Sequence, residues 1–158
     1  MNCKRNKYHF TIFHLKPVLL LSFAILSFGF CYSQGEKLVI ITNTEGAPAE
    51  MTLKDVKRVF KGEEQRWDGG KKISVAFMKT NAPLGELAAK KLLNMSGNEY
   101  NKLWLALVFQ GKAKAPSFFN SETDLLNYVS STPGAIGILS EKSASNSAKV
   151  RIDGKEFF

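Results

Sequence analysis

The side chains best suited to nucleophilic, imidazole or soft-metal chemistry are confined to one end of this 158-residue chain. Cys3, Cys31, His9 and His14 are its only cysteines and histidines. Residues 35–158 therefore hold no thiol nucleophile, no disulfide, no imidazole base and no soft zinc ligand. What remains is charged and hydroxylic. Glu63, Glu64 and Asp68 cluster carboxylates, but they lack the alternating acidic spacing of a calcium loop and read as a solvated turn. Lys112 and Lys114, beside Gly111, offer a contact to an anion across a cleft, against the simpler reading of a solvated face. Trp67 and Trp104 are large enough to stack on a ligand, yet Trp104 falls on the inner stripe of a helix and Trp67 closes a loop, so both read as packing residues. The serines lack a base, and neither a phosphate loop nor a dinucleotide fingerprint is present. The expectation is a protein that is not an enzyme and uses no cofactor and no metal.

The first 34 residues read as an export signal rather than as part of a fold. Lys4, Arg5, Lys7 and Lys16 precede an apolar run, Val18 to Phe30, of the length of a signal core and too short for a comfortable membrane span. We expect a signal peptide over residues 1–33, cleaved after Ser33, and a periplasmic or otherwise exported protein with no stable membrane span. A lipoprotein anchored through Cys31 is the less favoured alternative, because Phe30 stands where lipoprotein processing needs a small residue. The formal charge of +8 falls to about +4 once the four signal cations are set aside. The remaining cations are scattered among acids, unlike a nucleic-acid stripe, so no nucleic-acid partner is expected.

Residues 36–158 suffice for one domain and not for two. Leu38 to Ile41 reads as a strand buried on both faces. Thr52 caps a helix carrying Leu53, Val56, Val59 and Phe60, which stops at Gly62. Asp68-Gly69-Gly70 turns the chain into a second strand, Ile73 to Met78. Pro83 opens a helix with Leu84, Leu87, Ala88 and Leu92 inside. Ser96 with Glu99 forms a capping box for a third helix, whose spacing places Tyr100, Leu103, Trp104, Leu107 and Val108 on one stripe. Lys112 to Phe119 reads as a loop that exposes one of Phe118 and Phe119. Ser121 caps a fourth helix, Thr132-Pro133-Gly134 stops it, and Ala135 to Leu139 forms a buried strand. Glu141 to Ser147 is a polar excursion, and Val150 to Ile152 makes a last short strand before the Asp153-Gly154 turn.

These elements carry a set of motifs in order: Val59-Phe60-Lys61-Gly62, Trp67, Gly69-Gly70, Ile73 and Val75, Trp104, Phe109-Gln110-Gly111, Pro116, Val129 to Gly137, and Ile152-Asp153-Gly154. In that order they resemble the phosphate-type periplasmic substrate-binding proteins of ABC transporters, from about Leu38 to Gly154. The resemblance implies an α/β fold, a single lobe of the periplasmic-binding-protein type, with a mixed or parallel central sheet flanked by about four helices. It also implies where a ligand would sit. The family follows the strand equivalent to Ile73 to Met78 with an Arg and a Ser-Gly-Thr at a helix start, where amides receive the anion. Here the segment reads Met78-Lys79-Thr80-Asn81-Ala82-Pro83-Leu84. Lys79 replaces the arginine with a point charge, and Pro83 removes one N–H donor.

The implied ligand-binding residues are thus Lys79, Thr80, Asn81 and Leu84, and the implied ligand is a small oxyanion such as phosphate, held non-covalently. The alternative is a ligand-free protein-interaction or accessory module of the cell envelope, built on the same lobe. A homodimer would supply the wall that a single lobe lacks.

Overall fold

Four consecutive apolar side chains cannot alternate between core and solvent, so a strand made of them needs cover on both faces. Leu38 to Ile41 finds that cover in β1 (Leu38–Thr42), which is buried along its whole length. The computed structural model describes residues 35–144 and 149–155, and the expected export signal lies outside the described residues. Glu36–Phe158 forms one compact unit. The hydrophobic core of the described residues lies wholly within it, which equips this part to fold alone.

Strand β1 joins β3 (Ser74–Met78), β4 (Ser117–Phe119) and β5 (Ala135–Ser140) in a mixed sheet of order β1-β5-β3-β4. The β1–β5 pair is antiparallel, with Ile40 opposite Ile138. The β5–β3 and β3–β4 pairs are parallel, with Ala76 opposite both Gly137 and Ser117. Beyond β1, the Val150 amide donates to the Ile40 carbonyl at 2.9 Å and brings the chain into β6 (Arg151–Ile152). There it pairs in parallel with β2 (Glu50–Met51).

Three of the four described α-helices start at a side-chain cap. The Thr52 hydroxyl accepts from the Asp55 amide ahead of α1 (Leu53–Phe60). Helix α2 (Pro83–Ala88) runs straight into a π-helical turn (Ala89–Leu93), which ends at Asn94 in the left-handed region. Ser96 and Glu99 make the full capping box of α3 (Gly97–Phe109), and Ser121 caps α4 (Glu122–Ser131). Among the described residues the result is the α/β architecture expected from the sequence, with a mixed sheet and four α-helices.

The alternating faces of β3 sort the helices into layers. On one face, α4 lies across the sheet, touching all four strands. It lies closest at Gly137, where an added Cβ would come within 2.7 Å of Leu125 Cδ2 and 3.0 Å of Val129 Cγ2. On the other face, Phe77 packs against Phe60 of α1 at a ring separation of 6.0 Å and against Tyr100 of α3 at 4.6 Å. Two side chains fasten α4 at its ends. Glu122 accepts from both the amide and the hydroxyl of Ser140, and the Asn43 side chain donates to the Val129 and Ser130 carbonyls. Trp67 is buried, its indole N–H donating to the Gly134 carbonyl at 3.0 Å.

Three expectations need correction. The segment read as a loop through Phe119 ends in β4, an edge strand pinned by the Lys79 amide donating to the Phe119 carbonyl at 2.9 Å. Three residues are too few for a period-2 pattern to stand out, and both phenylalanines are half-buried, Phe118 against Phe77 and Phe119 against Tyr128. Leu87 is only half-buried, while the π turn widens the helix enough to bury both Leu92 and Leu93. Val108 faces solvent rather than the core, because the last turns of α3 run on beyond Trp104 with no described element over their outer side.

Expressed alone, Glu36–Phe158 should unfold cooperatively in urea, and Gly137→Ala should cost it about 1–3 kcal/mol by forcing α4 off the sheet. Gly69→Ala, which meets open space, is the control and should stay near the wild-type midpoint. Equal midpoints for the two variants would discount the close approach.

Candidate functional site

The segment from Lys79 to Leu84 is placed by three contacts of its backbone. The Lys79 amide extends the ladder to β4, and its carbonyl accepts from the Ala82 amide at 2.9 Å, closing a tight turn at the end of β3. The third contact is the seating of α2. Gly85 fits because it has no side chain: a Cβ there would fall on the Lys79 carbonyl oxygen and within 2.9 Å of the Met78 carbonyl oxygen. The helix thus begins directly over the strand it follows.

Its first turn is uncapped. Ala82 occupies the cap position in an extended conformation and gives no side-chain hydrogen bond, and Pro83 brings no N–H. The free donors at this helix start are the amides of Leu84 and Gly85. Leu84 offers its amide alone, since its side chain is only 8% exposed and belongs to the core. Lys79 and Asn81 are exposed and Thr80 is half-buried, so the structure brings all four expected residues to one end of the sheet. The Thr80 hydroxyl accepts from the Asn101 side-chain amide at 2.7 Å, which fixes the hydroxyl and leaves its proton free to donate elsewhere.

Helix α3 forms the adjoining wall. An added Cβ at Gly97 would come within 2.6 Å of Thr80 Cβ and 2.7 Å of its carbonyl oxygen, so this glycine too permits a close approach. The Gly97 amide donates to Glu86 Oε2 at 2.7 Å, which places a built-in carboxylate at the start of α3. Gly85, Glu86, Gly97 and Asn101 therefore shape the site, and none of them was expected from its chemistry. The legible signal was glycine inside a helix and at the first position of a capped one, where it costs stability unless something must come close.

Other sequence candidates lie elsewhere. Lys112 and Lys114 follow the far end of α3, about 20 Å from its start at the rise of an α-helix, and do not join Lys79. Glu64 pairs with Arg58 at 2.7 Å in an exposed turn. A cleft of about 510 Å³, lined in part by Met51, Arg58, Glu64, Trp67 and Asp68, contains none of the four expected ligand residues. No group of acids able to hold a metal occurs among the described residues.

At the capping box beside the site, the Ser96 backbone amide, followed by the Ser96 hydroxyl, holds the Glu99 carboxyl below its ordinary pKa, with Lys102 adding to the effect. A pKa lowered by folding contributes stability above the unfolded-state value, and this is lost as pH falls through the folded-state value. Followed by carboxyl-carbon NMR, Glu99 should titrate below an ordinary glutamate. Ser96→Ala, which deletes the hydroxyl but keeps the amide, should move the midpoint only part of the way back. An unchanged midpoint would discount the hydroxyl.

No protein-family model matches the chain, and no curated protein matches it. Among solved structures it is similar to PstS from Borrelia burgdorferi, with a TM-score of 0.61, 18% identity, and coverage of 76% of this chain and 48% of that one. It is also similar to a phosphate binding protein from Stenotrophomonas maltophilia, with a TM-score of 0.57, 15% identity and coverage of 75% and 39%. A third likeness is to a possible phosphate binding protein from Planctomyces limnophilus, with a TM-score of 0.54, 15% identity and coverage of 74% and 41%. The chain spans less than half the length of each of these proteins. Its fold is the one that this part of the phosphate-binding proteins has.

Proposed function

We infer that this domain binds a small oxyanion, phosphate or one of similar size and charge, at the end of β3. The observation that carries this reading is the uncapped start of α2, seated on β3 by Gly85 and flanked by Lys79 and Thr80. It lies in a fold shared with solved structures described as a phosphate binding protein and a possible phosphate binding protein. Amides at a helix start point outward and carry partial positive charge, so an anion there satisfies donors that otherwise face only water. Lys79 supplies a full charge, Thr80 a hydroxyl proton and Asn81 an amide. No bond is made or broken, so the role is that of a receptor. Residues 1–33 act as its export signal, and the domain works in the cell envelope.

Affinity in this reading is low. A single lobe leaves the anion half solvated, and Glu86 sets a negative charge one turn into α2. A dissociation constant of about 1 mM corresponds to roughly 4 kcal/mol, within reach of a charge-assisted contact and two amides.

A second reading, a ligand-free interaction or accessory module of the envelope, draws support from Pro83 and from the Glu86 carboxylate already received by the Gly97 amide. Titration calorimetry of Glu36–Phe158 with phosphate, sulfate and neutral glycerol separates the two. We expect saturable heat with the anions only, weakened roughly tenfold in Lys79→Ala and strengthened in Pro83→Ala, which restores a donor. Absence of heat at millimolar anion would sink oxyanion capture by the monomer and leave the interaction module.

A further inference from the structure

The outer side of the last two turns of α3 is apolar and uncovered. Leu105 is 58% exposed, Val108 43% and Phe109 83%. Spaced at i, i+3 and i+4, they form one stripe, with Lys102 a turn before them and Lys112 and Lys114 just after. Neighbouring chain adds to the same end. Gly62 packs on Trp104 and Leu107, with an added Cβ coming within 2.8 Å of Trp104 and 3.1 Å of Leu107, and the Gln65 side chain donates to the Lys112 carbonyl. Lys61 is thereby held beside α3. On α1 it continues a row with Lys54 and Lys57 at i, i+3 and i+7, lining a shallow apolar recess at Leu53. The adjoining acids are Glu63, Glu64 and, a turn before Lys102, Glu99; Glu64 is taken by Arg58 and Glu99 by its capping box.

We propose that this tip, Leu105, Val108 and Phe109 within their lysine rim, docks on an anionic phospholipid surface. Charge complementarity selects an anionic partner, and two further features select lipid over protein. The stripe lies exposed on the last turns of α3, just before the left-handed turn of Gly111, and a deformable bilayer interface can receive it without a matching hollow. Apart from Arg58, which Glu64 holds at the edge of the recess, the rim cations are lysines, which are depleted in protein interfaces but reach from a buried stem to lipid phosphates. An aromatic and two aliphatic side chains entering the headgroup boundary, with lysines paired to anionic headgroups, is the geometry of interfacial binding.

Flotation of Glu36–Phe158 with vesicles of equal parts phosphatidylglycerol and phosphatidylcholine, and with vesicles of phosphatidylcholine alone, tests this. The domain should float with the anionic vesicles and weaken as salt rises. Lys112→Glu should lower partitioning roughly fivefold or more. Leu105→Ser with Phe109→Ser should abolish it, and both variants should keep the wild-type unfolding midpoint because the altered side chains are exposed. Failure to float with anionic vesicles, equal binding to neutral ones, or indifference to the serine substitutions would overturn the proposal. Self-association in sedimentation equilibrium that the serine substitutions remove would also overturn it, marking the face as one between copies. Calorimetry with phosphate is independent of each of these readings, since none of the altered residues belongs to the β3 site.

Discussion

The closeness of α4 to β5 at Gly137 is the constraint from which the architecture follows. Strand β5 is the hub of the sheet, paired antiparallel with β1 and parallel with β3, and it has no exposed residue. With hydrogen in place of a side chain at its middle, Leu125 and Val129 settle onto the strand itself. The helix can then cover all four strands from one face and leave the other to Phe77, Phe60 and Tyr100. That aromatic cluster ties α1 to α3 through one polar bond, the Tyr100 hydroxyl donating to the Phe60 carbonyl at 3.0 Å. Its burial pushes the phenol far above its ordinary pKa, so the hydroxyl stays protonated and the bond persists.

The same device operates twice more around the end of β3. Gly85 lets α2 descend onto the strand, and Gly97 lets α3 close on Thr80. A helix start pressed against strand carbonyls meets unfavourable neighbours, since those oxygens carry negative partial charge near where donors would receive an anion. Packing and anion recognition would thus compete for the same few ångströms. Lys79 offsets the carbonyls with a full charge, while Pro83 and Glu86 weigh on the other side. The balance is set by local electrostatics rather than by the fold.

This division explains what was legible beforehand. The fold was written in features that act locally or by pattern: the Ser96–Glu99 box, the Pro133-Gly134 stop, the unbroken apolar run of β1. The site was not, because its walls come from residues distant in sequence. Asn101 reaches Thr80 across 21 positions and Glu86 reaches Gly97 across 11, and only the folded chain brings them together. Strand β4 escaped for a different reason, since three residues at a sheet edge owe their conformation to the ladder with β3 rather than to their own pattern. Val108 was misplaced because helical periodicity says which side chains share a face and not how far the core extends along it.

Helix α3 joins the two ends of the domain that carry chemistry. It starts against Thr80 and finishes at Phe109, so a thirteen-residue helix separates the proposed oxyanion site from the lysine-rimmed tip. At the rise of an α-helix this is about 20 Å, twice the screening length of about 10 Å in moderate salt. An anionic surface met by the tip would therefore exert little repulsion on an anion approaching Lys79. The sheet end would face away from that surface, open to solute. Were the two sites adjacent, lysines that attract headgroups would also compete for the ligand, and each occupancy would weaken the other. Their separation along one helix would remove that conflict, so that a domain holding a surface with one end would still meet dissolved anions with the other.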